Sequence, residues 1–160
     1  MNLEWSDFSI DFTHFDSLQL LESWKWLVGE QKKVILITSI GDLFYTDEKD
    51  RVYWLMTGQG ESKKIADSLQ EFEAELNSEK IFEEWFLPNL LKEIHQNQPK
   101  LTKGFLYGYK KIPTLGGEYE AQNYEITDIE VHFTICGQLQ EKVQKLSNGV
   151  IINSIELKSK

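Results

Sequence analysis

The stretch VILITSIGDLFYTDEKDRVYWLMT, residues 34–57, decides the architecture. It reads as three short strands, VILIT (34–38), DLFYT (42–46) and RVYWLMT (51–57), because β-branched and aromatic runs are punctuated by Gly41 and by the acidic turn DEKD. Successive strand side chains point to opposite faces, so Val52, Trp54 and Met56 share one face while Tyr53 and Leu55 share the other. Both sets are apolar. Both faces of the sheet are therefore expected to be covered in part.

The flanking sequence supplies the cover. Residues 16–28 read as an amphipathic helix: Asp16 is an N-cap candidate, Leu20, Leu21, Trp24, Leu27 and Val28 fall near one face, and Gly29 follows as the terminating residue. From Ile65 the period becomes helical, with Leu69, Phe72 and Leu76 on one side and Asp67 or Ser68 available as cap. Residues 78–96 continue the pattern through Ile81, Phe82, Trp85, Phe86, Leu90, Leu91 and Ile94, and Pro88 must kink or restart that helix, so two pieces are expected. The polar run HQNQPKLTKG (95–104) reads as a loop. Residues 105–110 and 125–135 read as further strands, the second because Ile129, Val131, Phe133 and Ile135 alternate with Glu130, His132 and Thr134. Leu139, Val143 and Leu146 predict a short closing helix ended by Ser147-Asn148-Gly149, and VIINSIEL (150–157) an edge strand. The sum is an α+β fold, helices packed on a mainly antiparallel sheet, with residues 1–160 read as one domain.

Composition narrows the function. Apolar residues make up 41% of the 160 and include five tryptophans, enough to build a core. Lys and Arg number 17 against 26 Asp and Glu, a formal charge of -9, which repels nucleic acid and anionic membrane and favours a basic protein partner. The excess is concentrated: residues 67–84 hold Asp67, Glu71, Glu73, Glu75, Glu79, Glu83 and Glu84 against Lys80 alone. The lone Cys136 has no internal disulfide partner, the first residues lack the basic and apolar regions of a secretion signal, and no apolar run approaches the roughly 18 residues of a spanning helix. A soluble, cytoplasmic protein is expected.

Catalytic and metal-binding patterns find little support. His14, His95 and His132 are far apart in sequence and offer no metal-ligand spacing, so neither metal nor cofactor is expected. His132, read on a strand face opposite the apolar set, is expected to be a hydrogen-bonded or exposed structural histidine, and Cys136 a buried thiol without an activating neighbour. Asp47, Glu48 and Asp50 lack the glycine and closing glutamate of a calcium loop and read as a hairpin turn. Carboxylate pairs of the glycosidase kind meet in space, and nothing along the chain selects one. In GYKKIPTLGGEY (108–119) the Gly116-Gly117 pair has no phosphate-loop spacing and reads as a turn needing positive φ. The acidic helix face admits two readings: a solvated surface, or a negative patch steering a cationic partner.

The stretch YGYKKIPTLGGEYEAQNYEITDIEVHFTICGQL (107–139) resembles the carboxy-terminal domain of type VI secretion immunity proteins, the family that protects against a DNase effector and in which this domain is associated with GAD-like segments. The residues that carry the resemblance are Tyr107, Gly108, Pro113, Leu115, Gly116, Gly117, Asn123, Asp128, Val131, His132, Gln138 and Leu139. Upstream, Gly41-Asp42, Tyr53-Trp54 and Gly58 resemble the preceding strand pair, so that the likeness runs over about residues 41–146. The resemblance implies a non-enzymatic protein that binds and neutralises a cognate toxin. An inhibitor of a nucleic-acid-cleaving toxin gains by placing carboxylates where the toxin expects phosphates. Glu71, Glu75 and Glu79, at successive steps of four, are the candidate contact residues, and a helix break at Asn77 would set Glu79 apart from the other two. The alternative is a small ligand-binding or scaffold domain whose loop 110–118 holds a ligand.

Overall fold

The structure, a computed structural model, describes residues 2–146. Strands β1 (Lys33–Ile37), β2 (Leu43–Thr46), β3 (Val52–Met56) and β4 (Glu61–Ala66) pair in that order as an antiparallel meander. The first three lie where residues 34–57 place them. The fourth was not anticipated, because ESKKIA buries little beyond Ala66 and its lysines keep an edge strand from pairing further. Ile65 therefore lies within a strand, and helix α4 (Leu69–Glu75) starts only after Ser68, whose side chain accepts from the Glu71 amide.

Both faces of the meander are covered. Val52, Trp54 and Met56 join Phe44 in one core with Phe72 of α4, Trp85 and Phe86 of α5 (Glu79–Phe86), and Leu91 and Ile94 of α6 (Pro88–Asn97). A register slip between Val34 and Leu36 lets two consecutive residues, Ile35 and Leu36, face this core. Pro88 restarts the helix as expected: it is the first residue of α6, and Leu87 before it is left-handed at φ 46°. The short helix α1 (Trp5–Phe8), not anticipated, adds Phe8 to the same core.

The opposite face carries the main correction. The strand predicted over 125–135 stops at Asp128: β6 (Tyr124–Asp128) pairs antiparallel with β5 (Phe105–Tyr109), and residues from Ile129 onward form helix α7 (Ile129–Gln144). Asp128 is its N-cap, accepting from the Val131 amide at 3.1 Å. Ile129, Phe133, Cys136 and Gln140 recur at helical spacing and are buried, whereas Val131 and Ile135 are exposed. The alternation of Ile129 to Ile135 satisfied two periods at once, and packing chose the helical one. The predicted helix 139–146 coincides with the last part of α7 as far as Gln144; Ser147-Asn148-Gly149 and the tail strand lie outside the described residues.

The helix predicted over 16–28 is also corrected. Asp16 does cap it, accepting from the Leu18 amide, and Gly29 does end it at φ 80°, but between them lie α2 (Ser17–Leu20), a 3₁₀ turn (Glu22–Trp24) and α3 (Lys25–Val28). The break lies where α7 comes closest. The fully buried Trp24 donates its indole N–H to Phe133 O at 2.9 Å, and a Cβ on Gly137 would stand 2.5 Å from Ser23 O. Tertiary contact thus overrides an adequate local propensity. Leu21, Trp24, Leu43, Leu55 and Phe133 meet in this second core.

Candidate functional site

The β1–β2 turn and the β3–β4 turn lie at the same end of the meander, and α7 holds them together. Asp42, at the first turn, accepts from the Thr57 amide through Oδ1 and from Trp54 Nε1 through Oδ2, both at 3.1 Å. Thr57 donates its hydroxyl to Gly41 O at 2.7 Å. From α7, His132 Nε2 stands 2.8 Å from the same carbonyl and Gln140 Nε2 donates to Thr57 O at 3.0 Å. A carbonyl can only accept, so the imidazole carries its proton on Nε2 and turns Nδ1 toward Cys136 Sγ, 3.8 Å away. His132, Cys136 and Gln140 are successive steps of four, one buried stripe of the helix.

Burial sets the protonation of this node. It raises the Asp42 carboxyl to about 6, against the Thr57 and Trp54 hydrogen bonds that favour the anion. It lowers His132 to about 4, opposed by the bond to Gly41. The Cys136 thiol is pushed up to about 12 by burial and by the Asp42 charge. A thiol held protonated beside an imidazole of depressed basicity is the reverse of an activated nucleophile. The node is built to hold two turns and a helix together.

His132 was expected on a strand face opposite the apolar set, as a hydrogen-bonded or exposed histidine; it is hydrogen-bonded, but on a helix and buried with Ile129 and Phe133, while Val131 and Ile135 of that set are exposed. Its ring fills the space between two glycines: a Cβ on Gly41 would lie 2.5 Å from Nε2, and one on Gly108 3.0 Å from Nδ1. Thr57 and Gln140 escaped notice in the sequence. Only after residues 129–144 are read as a helix does Gln140 fall in line with His132.

Asp42 also faces outward, into a cleft of about 530 Å³ between the β3–β4 end of the sheet, the end of α5 and the segment after β5. Trp54, Trp85, Tyr109 and Tyr119 wall it, and Glu61, Lys63 and Glu84 line it as well. Gln59 Nε2 donates to Tyr119 Oη at 3.0 Å, tying the β3–β4 turn to residue 119.

That segment answers the question of the glycine pair. Pro113–Leu115 is a 3₁₀ turn held to the sheet by Thr114, whose amide and hydroxyl both donate to Gly58 O. Gly116 follows at φ 97°, and a Cβ on Gly117 would stand 1.8 Å from Lys111 O. Asn123 closes the loop, receiving from the Lys111 amide and donating to Lys111 O and Glu118 O. Tyr107 is fully buried and donates to Pro99 O at 2.7 Å; Leu115 packs at the edge of the second core. Gln138 lies half-buried on α7 near Glu141 and Lys142.

The three candidate acids are not on one helix. Glu71 and Glu75 belong to α4, Glu79 begins α5 after the turn 76–78, so the spacing of four does not carry across. Glu71 is exposed and accepts from the Asp67 amide at 3.0 Å, Glu75 is half-buried, Glu79 is exposed. Among the described residues no group of His, Cys, Asp and Glu could hold a metal ion, and no helix is long and apolar enough to cross a membrane.

The fold and cleft define a small α+β protein with a recess beside a hydrogen-bonded centre. Residues 66–140 match the family model described as T6SS immunity protein Tdi1, C-terminal, where T6SS is the type VI secretion system. The match supports the resemblance read from residues 107–139 and an immunity role; it begins at the last residue of β4, beyond the upstream strand pair. No curated protein matches the chain significantly.

Proposed function

We propose that this protein neutralises a cognate type VI secretion toxin by binding it in the cytoplasm of the producing cell, without turnover. The observation that carries the reading is the family match over residues 66–140, which contains the acidic stretch 67–84. A toxin that cleaves nucleic acid presents a cationic surface, and α4 and α5 offer exposed carboxylates at Glu71, Glu73, Glu79, Glu83 and Glu84. Co-expression with the effector encoded beside it is expected to yield a stoichiometric complex and to rescue cells that the effector alone kills. Rescue without a complex, or neither, would count against binding as the mechanism.

The cleft favours a second reading, a domain that holds a small ligand against the segment 113–119. A ligand selective for the folded state raises the melting temperature. A thermal-shift screen giving such a ligand, with no toxin captured, would favour this reading over the first.

A further inference from the structure

The cleft beside Asp42 combines two features: four aromatic side chains, Trp54, Trp85, Tyr109 and Tyr119, and a lining carboxylate, Asp42, that is itself buried. Glu61 and Glu84 line the same space, against one cation, Lys63. Glu61 and Glu84 take part in no ion pair among the described residues. Asp42 Oδ2 accepts from Trp54 Nε1, and a carboxylate oxygen has lone-pair capacity for a second donor. Anionic ligands are disfavoured here. A hydrophobic ligand would desolvate Glu61 and Glu84 without compensation and give Asp42 no further donor.

We propose that this cleft is an arginine-binding pocket, which takes a guanidinium presented on a segment of the partner protein. A guanidinium is planar, stacks on aromatic faces and donates in a fork to carboxylates, so one group uses both kinds of wall. The volume, about 530 Å³, exceeds that of a single side chain, so residues flanking the arginine enter with it. The identity of the partner as a toxin rests on the immunity reading; the chemistry of the pocket does not. Entry of a cation would also offset the desolvation of Asp42, a cost the free protein carries alone.

The test uses the whole protein and N-acetyl-L-arginine amide as probe, with N-acetyl-L-citrulline amide as its uncharged counterpart. Indole N–H resonances are followed by NMR. Arginine amide is expected to shift Trp54 and Trp85 saturably and to leave Trp24, in the opposite core, in place; citrulline amide should bind roughly tenfold more weakly or worse. A Glu61→Gln/Glu84→Gln variant, altered only at the lining and not at the buried node, should weaken arginine amide by roughly tenfold with an unchanged melting temperature. Equal affinity for the two amides, or no saturable shift at Trp54 and Trp85, overturns the proposal. The same variant is then assayed for toxin capture. Capture by wild type that the variant leaves unaltered overturns the pocket and spares the immunity reading, while failure of wild type to capture any toxin, with arginine amide still bound, overturns the immunity reading and spares the pocket.

Discussion

Thr57 joins His132 to Asp42: its hydroxyl oxygen stands 3.3 Å from His132 Nε2 and 3.3 Å from Asp42 Oδ1. A base and an acid thus share one buried network, and burial acts against the charge of each. The consequences for stability run in opposite directions along the pH axis.

Asp42 titrates near 6 in the folded chain against an ordinary 3.8, so its contribution is fully present below 3.8 and is lost as pH rises through 6. The amount is about 3 kcal/mol. His132 titrates near 4 against 6.5, so its contribution is present above 6.5 and lost as pH falls through 4, again about 3 kcal/mol. The two oppose each other across this window. Asp42→Asn should expose the histidine, making the protein lose about 3 kcal/mol more than wild type on acidification across it, whereas His132→Gln should leave a chain that gains stability there instead. Urea unfolding at a series of pH values reads both; curves parallel to wild type would refute the linkage.

The two loop glycines should differ in kind. Gly116→Ala meets only the cost of a left-handed backbone, about 1 to 2 kcal/mol. Gly117→Ala drives a methyl into Lys111 O and must open the Asn123-closed loop, at about 3 kcal/mol or more. Chemical denaturation of the pair checks the order, which matters more than either value. If Gly116→Ala proved the worse, the close approach at Lys111 would not be what that position serves.

Gly137→Ala should destabilise, although alanine is the better helix former by about 1 kcal/mol. The added methyl meets Ser23 O at 2.5 Å, backbone rather than a flexible side-chain end, so α7 must move away from the 3₁₀ turn. A loss of about 1 to 3 kcal/mol is expected, with the Trp24 indole hydrogen bond to Phe133 O weakened. A rise in melting temperature would show that the two segments are free to separate.

Charge reversal at Glu75 and Glu79 should act on encounter more than on lifetime. Glu75→Lys with Glu79→Lys is expected to slow toxin association by roughly tenfold at low salt, a difference that shrinks as salt is added. Stopped-flow or surface-based kinetics at two ionic strengths would measure it. A rate independent of both charge and salt would assign the acidic face to solvation alone.

What the chain determined alone was local. The strands of residues 34–57, the restart at Pro88, the caps Asp16 and Gly29, and the diglycine turn were legible because each follows from side-chain alternation, a fixed φ or a missing Cβ, which act within a few residues. The resemblance at residues 107–139 was legible for a related reason: Tyr107, Gly108, Gly117, Asn123 and His132 hold the fold together at fixed places. Tertiary structure decided the rest. Ile129 to Ile135 suited strand and helix equally until a core existed for Phe133 to enter, residues 16–28 were broken by contact with α7, and β4 gained its place from its neighbour rather than from its own apolar content. The cleft and the node required the same thing, since Asp42, Thr57, Trp85, Tyr119 and His132 are strangers along the chain, and their chemistry exists only where burial and distance bring them together.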